Sequence, residues 1–170
     1  MNKKVLNHSG EIVKMSNALA RGRWLPKSIY EPRLIAQVAA RVHKDDQEFK
    51  TYEIPVTAIL QGKVDGRTYK ILADAADNLM GKVITVDTDN KRGWIKYTIF
   101  SYCEYDAKNG CIRARFDPDL KPHYLNLKSN FAKYNLNEYM NLPSSYSQRI
   151  FEILKSWDDK PEVIIPLAEL

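Results

Sequence analysis

Residues 143–157 read Pro143-Ser-Ser-Tyr-Ser-Gln-Arg-Ile-Phe-Glu-Ile-Leu-Lys-Ser-Trp157. Pro143 and the serines at 144 and 145 punctuate the chain and start a helix. Ser145 and Gln148 have the spacing of a capping box, in which two side chains satisfy backbone N–H groups that the first turn leaves unpaired. Tyr146, Ile150, Ile153, Leu154 and Trp157 then recur at helical spacing as one apolar stripe. Arg149 and Lys155 lie off it. The expectation is an amphipathic helix that docks this stripe on a core.

The rest of the chain supplies an order of elements. Ser28 and Glu31 fit a second capping box, with Pro32 tolerated in a first turn. Leu34, Ile35, Val38, Ala39 and Val42 form the stripe of a first long helix. Tyr52, Ile54 and Val56 alternate as a short strand, which Pro55 places near an edge or at its end. Residues 58–60 make one helical turn before Gly62. Tyr69, Leu72, Ala75, Ala76 and Leu79 mark a helix over 69–80, and Gly81 beyond it accepts positive φ. Residues 83–86 form a strand, 87–93 a hairpin tip and 94–105 one long strand. Asn109-Gly110 is a second turn. Ile112, Ala114 and Phe116 alternate with Arg113 and Arg115, giving one apolar and one basic face. Pro118 and Pro122 end the sheet. Residues 131–142 are apolar at irregular spacing and receive no assignment. Helix, short strand, turn, helix, strand, wing, strand is the order of a winged helix-turn-helix. The fold class is therefore α+β, a winged helix-turn-helix with a long antiparallel hairpin sheet.

With that order in place, the wording of 143–157 closely resembles the serine–tyrosine–arginine helix of plasmid replication initiators. These are the iteron-binding Rep proteins, built from two winged-helix domains. Lys14-Met-Ser-Asn-Ala-Leu-Ala-Arg21 resembles the opening segment of that family. Residues 34–42 resemble its first long helix, and 69–80 the helix before its wing. Val163-Ile-Ile-Pro-Leu-Ala-Glu-Leu170 resembles the strand-then-helix opening of its second domain. Ahead of it, charge marks a basic arm over 1–13; the resemblance implies a first winged-helix domain over 14–142, for dimerisation and DNA-backbone contact. It implies that 143–170 hold the amphipathic helix and the start of a second, truncated winged-helix domain, so the chain reads as a fragment. It further implies an initiator that binds repeated origin sequences, helps open the origin, and recruits the host replication initiator and replicative helicase. As a homodimer, such a protein represses its own gene through an inverted repeat.

Composition sets bounds on this reading. A length of 170 residues suits one domain with a fragment of another, and a hydrophobic fraction of 44% fills a core. A mean hydropathy of −0.45 and the lack of a long apolar run argue against a membrane span. Lys3 and Lys4 are followed by polar residues, not by a signal-peptide stretch. Cys103 and Cys111 make no disulfide framework and are too few for a zinc site. They are expected as buried thiols on the two strands of a hairpin, in a cytoplasmic protein.

The net charge is +5 and the isoelectric point about 9.1. The first thirty residues carry Lys3, Lys4, Lys14, Arg21, Arg23 and Lys27 against Glu11 alone. Residues 1–13 read equally well as a phosphate-binding arm or as a solvated tail. From 14 to 27, Leu19, Trp24 and Leu25 anchor the segment, which favours phosphate contact. The DNA-contact candidates are Lys14, Arg21, Arg23, Lys27, Arg67, Lys70, Lys91, Arg92 and Arg149. Asp74 and Asp77 make the middle of the 69–80 helix acidic and poor for deep insertion into a groove. The wing tip at Asn90, Lys91 and Arg92 suits phosphate better. In the 94–105 strand, apolar residues on both faces suggest a homodimer surface, with Ile95, Tyr97, Ile99 and Tyr102 as candidates.

Catalysis has little support. His8, His43 and His123 are far apart, match no metal-ligand spacing and are expected on the surface or in loops. No phosphate loop ending in Lys-Ser or Lys-Thr occurs. The stretch from Asp87 opens like a calcium loop but has Arg92 and Thr98 where that loop needs Gly and Glu. The expectation is a non-enzyme without cofactor or metal. Three rivals remain: a winged-helix transcription regulator; a dimerisation or protein-interaction module without DNA contact; and a metal-dependent nuclease built on Asp87, Asp89, Lys96 and Glu104.

Overall fold

The computed structural model describes residues 11–62 and 64–169. Strand β1 (Ile12–Ser16) sends Val13 and Met15 inward. It pairs antiparallel with β7 (Phe131–Asn135), from Ile12 opposite Asn135 to Ser16 opposite Phe131. The sequence assigns neither strand. Five residues give alternation little room, and β1 takes Ile12 and Val13 from the span read as an arm. Residues 1–10, with Lys3, Lys4 and His8, lie outside the described residues. Ser16 caps the short helix α1 (Asn17–Ala20), its hydroxyl accepting the Leu19 amide at 3.0 Å.

Helix α2 (Tyr30–Ala39) buries Leu34, Ile35, Val38 and Ala39. Only half of the expected capping box forms. Glu31 accepts the Lys27 and Ser28 amides at 2.9 and 2.8 Å, while the Ser28 hydroxyl donates to Glu31. Strand β2 (Tyr52–Pro55) ends at its proline, and Val56 opens helix α3 (Val56–Leu60) instead of closing the strand. Helix α4 (Thr68–Met80) buries Thr68, Leu72, Ala75 and Leu79. Gly81 then has φ −92°, so the expected left-handed cap is absent; among the described residues the positive-φ glycine is Gly110, at 62°.

The expected long strand at 94–105 is two strands in two sheets. Strand β3 (Val83–Thr88) pairs with β4 (Gly93–Thr98) as the wing hairpin. Strand β5 (Phe100–Asp106) pairs with β6 (Cys111–Phe116), whose other side pairs with β2. The sheet orders are β1–β7, β2–β6–β5 and β3–β4. The division falls at Ile99, which is 1% exposed and whose carbonyl accepts the Asp117 amide at 2.8 Å. Apolar residues on both faces of 94–105 thus record a change of sheet. Strand β6 keeps the expected alternation, with Ile112, Ala114 and Phe116 buried.

Pro118 opens a 3-10 turn that leads into helix α5 (Lys121–Tyr124), which holds Pro122 in its first turn. Phe116 stacks on Tyr124 at 4.4 Å between ring centroids and on Phe100 at 5.5 Å, and Phe49 meets it edge-on at 5.3 Å. Aromatic contacts of this kind stabilise beyond their buried area. Helix α6 (Leu136–Met140) follows β7, capped by Asn135, which accepts the Glu138 amide at 3.2 Å.

Helix α7 (Ser145–Ser156) departs most from expectation. Its cap is Ser144: the Ser144 hydroxyl accepts the Ser147 amide at 3.0 Å, and the Ser147 hydroxyl accepts the Ser144 amide at 3.1 Å. This box, one residue earlier, replaces the expected pair of Ser145 and Gln148. The buried residues are Gln148, Arg149, Glu152, Ile153 and Ser156, whereas Tyr146 and Leu154 are 54% and 48% exposed. The stripe of Tyr146 and Leu154 faces outward because the surface beneath α7 offers hydrogen-bonding groups. Past α7, residues 163–166 pair with no strand among the described residues, and Leu167–Glu169 is a single 3-10 turn. The expected strand does not form among the described residues. Among the described residues, no helix is long and apolar enough to cross a membrane.

Candidate nucleic-acid interface

The exposed cations fall into separate groups. At the start of α4, Arg67 meets Asp65 at 3.3 Å and Lys70 meets Asp74 at 3.1 Å, all four side chains exposed. Solvent screens exposed pairs of this kind and leaves them weak, so an incoming phosphate competes readily with either carboxylate. Tyr69 sets this end of α4 against β5, its ring edge-on to Tyr105 at 5.7 Å. Asp74 and Asp77 face solvent, which keeps the middle of the helix acidic.

The wing tip turns through Asp89, Asn90 and Lys91, all at positive φ. Arg92 then reaches back to Asp89 at 2.9 Å. On the hairpin, Thr85 lies opposite Lys96 and Asp87 opposite Trp94, so these four share the outward face. Trp94 is 63% exposed, with the Lys96 Nζ 4.9 Å from its ring centroid and 2.9 Å from the Thr85 hydroxyl. Arg23 joins this group from the segment after α1. Its amide and carbonyl exchange hydrogen bonds with Thr85 at 2.8 and 3.0 Å, and its guanidinium meets Asp87 at 2.8 Å. Trp94 and Lys96 are absent from the DNA-contact candidates drawn from the sequence. The spacing of 94, 96 and 98 along one strand is the signal that puts them on one face.

The structure does not gather all the candidates into one site. The start of α4 lies at the Tyr105 end of β5, whereas the wing tip adjoins Gly93, the opposite end of the β4–β5 run. Lys27 is exposed beside the start of α2. Lys14 is exposed on the separate β1–β7 sheet, 5.5 Å from the Phe131 ring centroid.

Arg21 and Arg149 have internal partners instead of exposed positions. Arg149 is buried; it donates to Glu152 at 2.8 Å and to the Gly22 carbonyl at 2.5 Å, and Glu152 accepts the Tyr134 hydroxyl at 3.1 Å. Arg21 donates to the Ser156 hydroxyl and carbonyl at 2.9 and 2.7 Å and lies 3.3 Å over the Trp157 ring. Burial lowers the Arg21 pKa from its ordinary value. In this conformation neither guanidinium offers itself to a phosphate.

The four dimer candidates likewise divide. Ile95 and Tyr102 are exposed but lie on different sheets. Tyr97 is half-buried, edge-on to the His123 ring at 4.9 Å, and Ile99 is in the core. Ile99 therefore cannot line an outer face. Strand β4 has β3 on one side and, among the described residues, no strand on the other. His123 is buried rather than on the surface: its Nδ1 is 2.6 Å from the Ser16 hydroxyl, and desolvation lowers its pKa.

The carboxylates of the nuclease reading are apart. Asp87 is held by Arg23 on the wing, while Glu104 on the other sheet meets Arg113 at 3.3 Å and Tyr102 at 2.7 Å. Among the described residues, no group of three or more His, Cys, Asp or Glu could hold a metal ion. Cys103 lies opposite Ala114 and Cys111 opposite Asp106, so the two free thiols do not face each other. Burial pushes the Cys103 thiol up to about 11.

Residues 12–155 match the family model described as initiator replication protein, WH1. No curated protein matches the chain. Among solved structures, the chain is similar to the Pi initiator protein, whose crystal structure is of a complex with iteron DNA. The TM-score is 0.66 at 16% identity, over 86% of this chain and 64% of that one. The likeness is one of fold, and the present chain spans just under two thirds of that relative's length.

Proposed function

This chain belongs to the initiator replication proteins, and on that premise we propose that it is a DNA-binding initiator of plasmid replication. The observation that carries the reading is the match across 12–155, which takes in the winged-helix order and α7 together. The fold shared with an initiator crystallised on iteron DNA supports it. So does the exposure of Arg23, Lys27, Arg67, Lys70 and Arg92, with Lys91 at the wing tip. The targets are origin repeats and an operator inverted repeat. Cations of the wing and of the start of α4 contact phosphates and set register without reading bases. The mechanism is binding and remodelling, without covalent catalysis, and the further partners are the host initiator and replicative helicase.

Fluorescence anisotropy on duplexes of the repeats beside the gene tests this. With about four phosphates neutralised, log K falls against log salt with a slope near roughly −3.6. Replacing Lys91 and Arg92 together by Ala weakens binding to every duplex alike, because backbone contacts carry no direct sequence information. A slope near zero, or no binding at low salt, rules the reading out.

The protein also self-associates as a homodimer through its sheet. The open edge of β4, with Trp94 and Ile95 exposed, supports this, since an unpaired edge is a template for another strand. Sedimentation equilibrium at micromolar concentration is expected to show a monomer–dimer equilibrium; a monomer throughout that range contradicts it.

A further inference from the structure

We propose that Arg149 is a positioning residue for the wing, tying helix α7 to the β3–β4 hairpin through residues 21–24. The part this would play in DNA binding rests on the proposed function; the coupling itself does not.

Helix α7 is clamped at two points to one short segment. Near its start, Arg149 donates to the Gly22 carbonyl at 2.5 Å and to Glu152 at 2.8 Å, with the Trp24 ring 5.7 Å from its guanidinium. At its end, Ser156 accepts from Arg21 through both hydroxyl and carbonyl. The two points are separated by roughly 10 Å of helix, yet they converge on adjacent residues, Arg21 and Gly22. Apolar contact is non-directional and would tolerate a shift of the helix. Charge-assisted hydrogen bonds from a buried guanidinium fix position and angle. Ile153 is buried and Phe151 packs on Tyr134 and Tyr139, but the contacts of α7 with residues 21–24 are the directional bonds of Arg149 and Ser156.

The other side of the segment holds the wing. Gly22 is pressed so closely against β3 that a Cβ there would lie 2.6 Å from the Ile84 Cγ2. The next residue, Arg23, exchanges two backbone hydrogen bonds with Thr85 and pairs with Asp87. The Gly22 backbone is thus caught between the Arg149 guanidinium and Ile84. Movement of α7 displaces the Gly22 carbonyl, and Arg23 carries the displacement to β3.

The test is hydrogen exchange on the full chain without DNA, comparing wild type with Arg149→Met and Arg149→Lys. Amides of 83–98 are expected to exchange at least about tenfold faster in Arg149→Met, with β2, β5 and β6 within about twofold of wild type. Lysine cannot span two acceptors as the guanidinium does, so Arg149→Lys falls between. Acceleration spread evenly over all sheets, or confined to α7, overturns the proposal. Should Arg149→Met fail to fold, Ser156→Ala removes one bond of the other clamp and leaves Arg149 in place. It is expected to accelerate the wing selectively by about threefold, and an even or absent response overturns the coupling. Tyr146→Ala on the outward face is expected to leave 83–98 unchanged, and acceleration there counts against the assigned path. Because no DNA is present, these results stand apart from the Lys91 and Arg92 experiment, whose failure would reject only the proposed function.

Discussion

Gly22 is the residue with least room to change. A Cβ would stand 2.6 Å from the Ile84 Cγ2 and 2.9 Å from the Leu19 carbonyl, and the second neighbour is backbone that no rotamer can move. Gly22→Ala is expected to lower unfolding stability by about 1–3 kcal/mol, the usual cost of overpacking, read as a lower urea midpoint. A wild-type midpoint would mean that α1 and β3 separate freely. Nothing in the sequence marks this glycine, since its constraint comes from residues 3 and 62 positions away. The arginines teach a related lesson. A sequence displays charge but not the partner, so Arg23 and Arg149 look alike. The first is exposed beside Asp87 and the second is enclosed with Glu152 and Gly22.

At the scale of elements, the cap of α7 moves by one residue. Ser144 and Ser147 make the reciprocal bonds, so Ser144→Ala is expected to cost about 1 kcal/mol, as for other lost N-caps. Ser145→Ala is expected to cost far less; equal losses in thermal unfolding would place the cap elsewhere. The helix itself was legible from its spacing, but its orientation was not. Periodicity identifies two faces, and hydrophobicity alone points the apolar one inward. Here polar groups of Tyr134, Gly22 and Arg21 select Arg149, Glu152 and Ser156 instead. Alternation succeeded on β6, where every second residue is buried. It failed over 94–105, because a period of two is blind to a strand that leaves one sheet for another. The winged-helix order, built from longer elements, survived these local errors. Strands β1 and β7 were missed because each is five residues long and pairs across more than a hundred positions.

The whole molecule is expected to lose stability in alkali. Tyr124, Tyr134 and Tyr139 are buried, and desolvation, with the nearby Glu152 charge adding to it, raises each phenol pKa above its ordinary value. Above pH 10 the unfolded chain releases these protons while the native state keeps them. The unfolded state then binds fewer protons, so stability falls as pH rises. Each tyrosine contributes a slope of about −1.4 kcal/mol per pH unit, and the three together about −4. Urea midpoints at pH 9, 10 and 11 check this, and a flat profile would show that the phenols titrate in the folded state.

The division at Ile99 has a mechanical meaning. Strands β4 and β5 are one unbroken length of backbone shared by two sheets, and only residue 99 lies between them. A swing of the hairpin relative to the other sheet is taken up as torsion over residues 98–100. The Asp117 amide grips the Ile99 carbonyl from the side, and the buried side chain seats it in the core. That leaves a pivot with a fixed axle: the hairpin turns about residue 99 while the β2–β6–β5 sheet keeps its place.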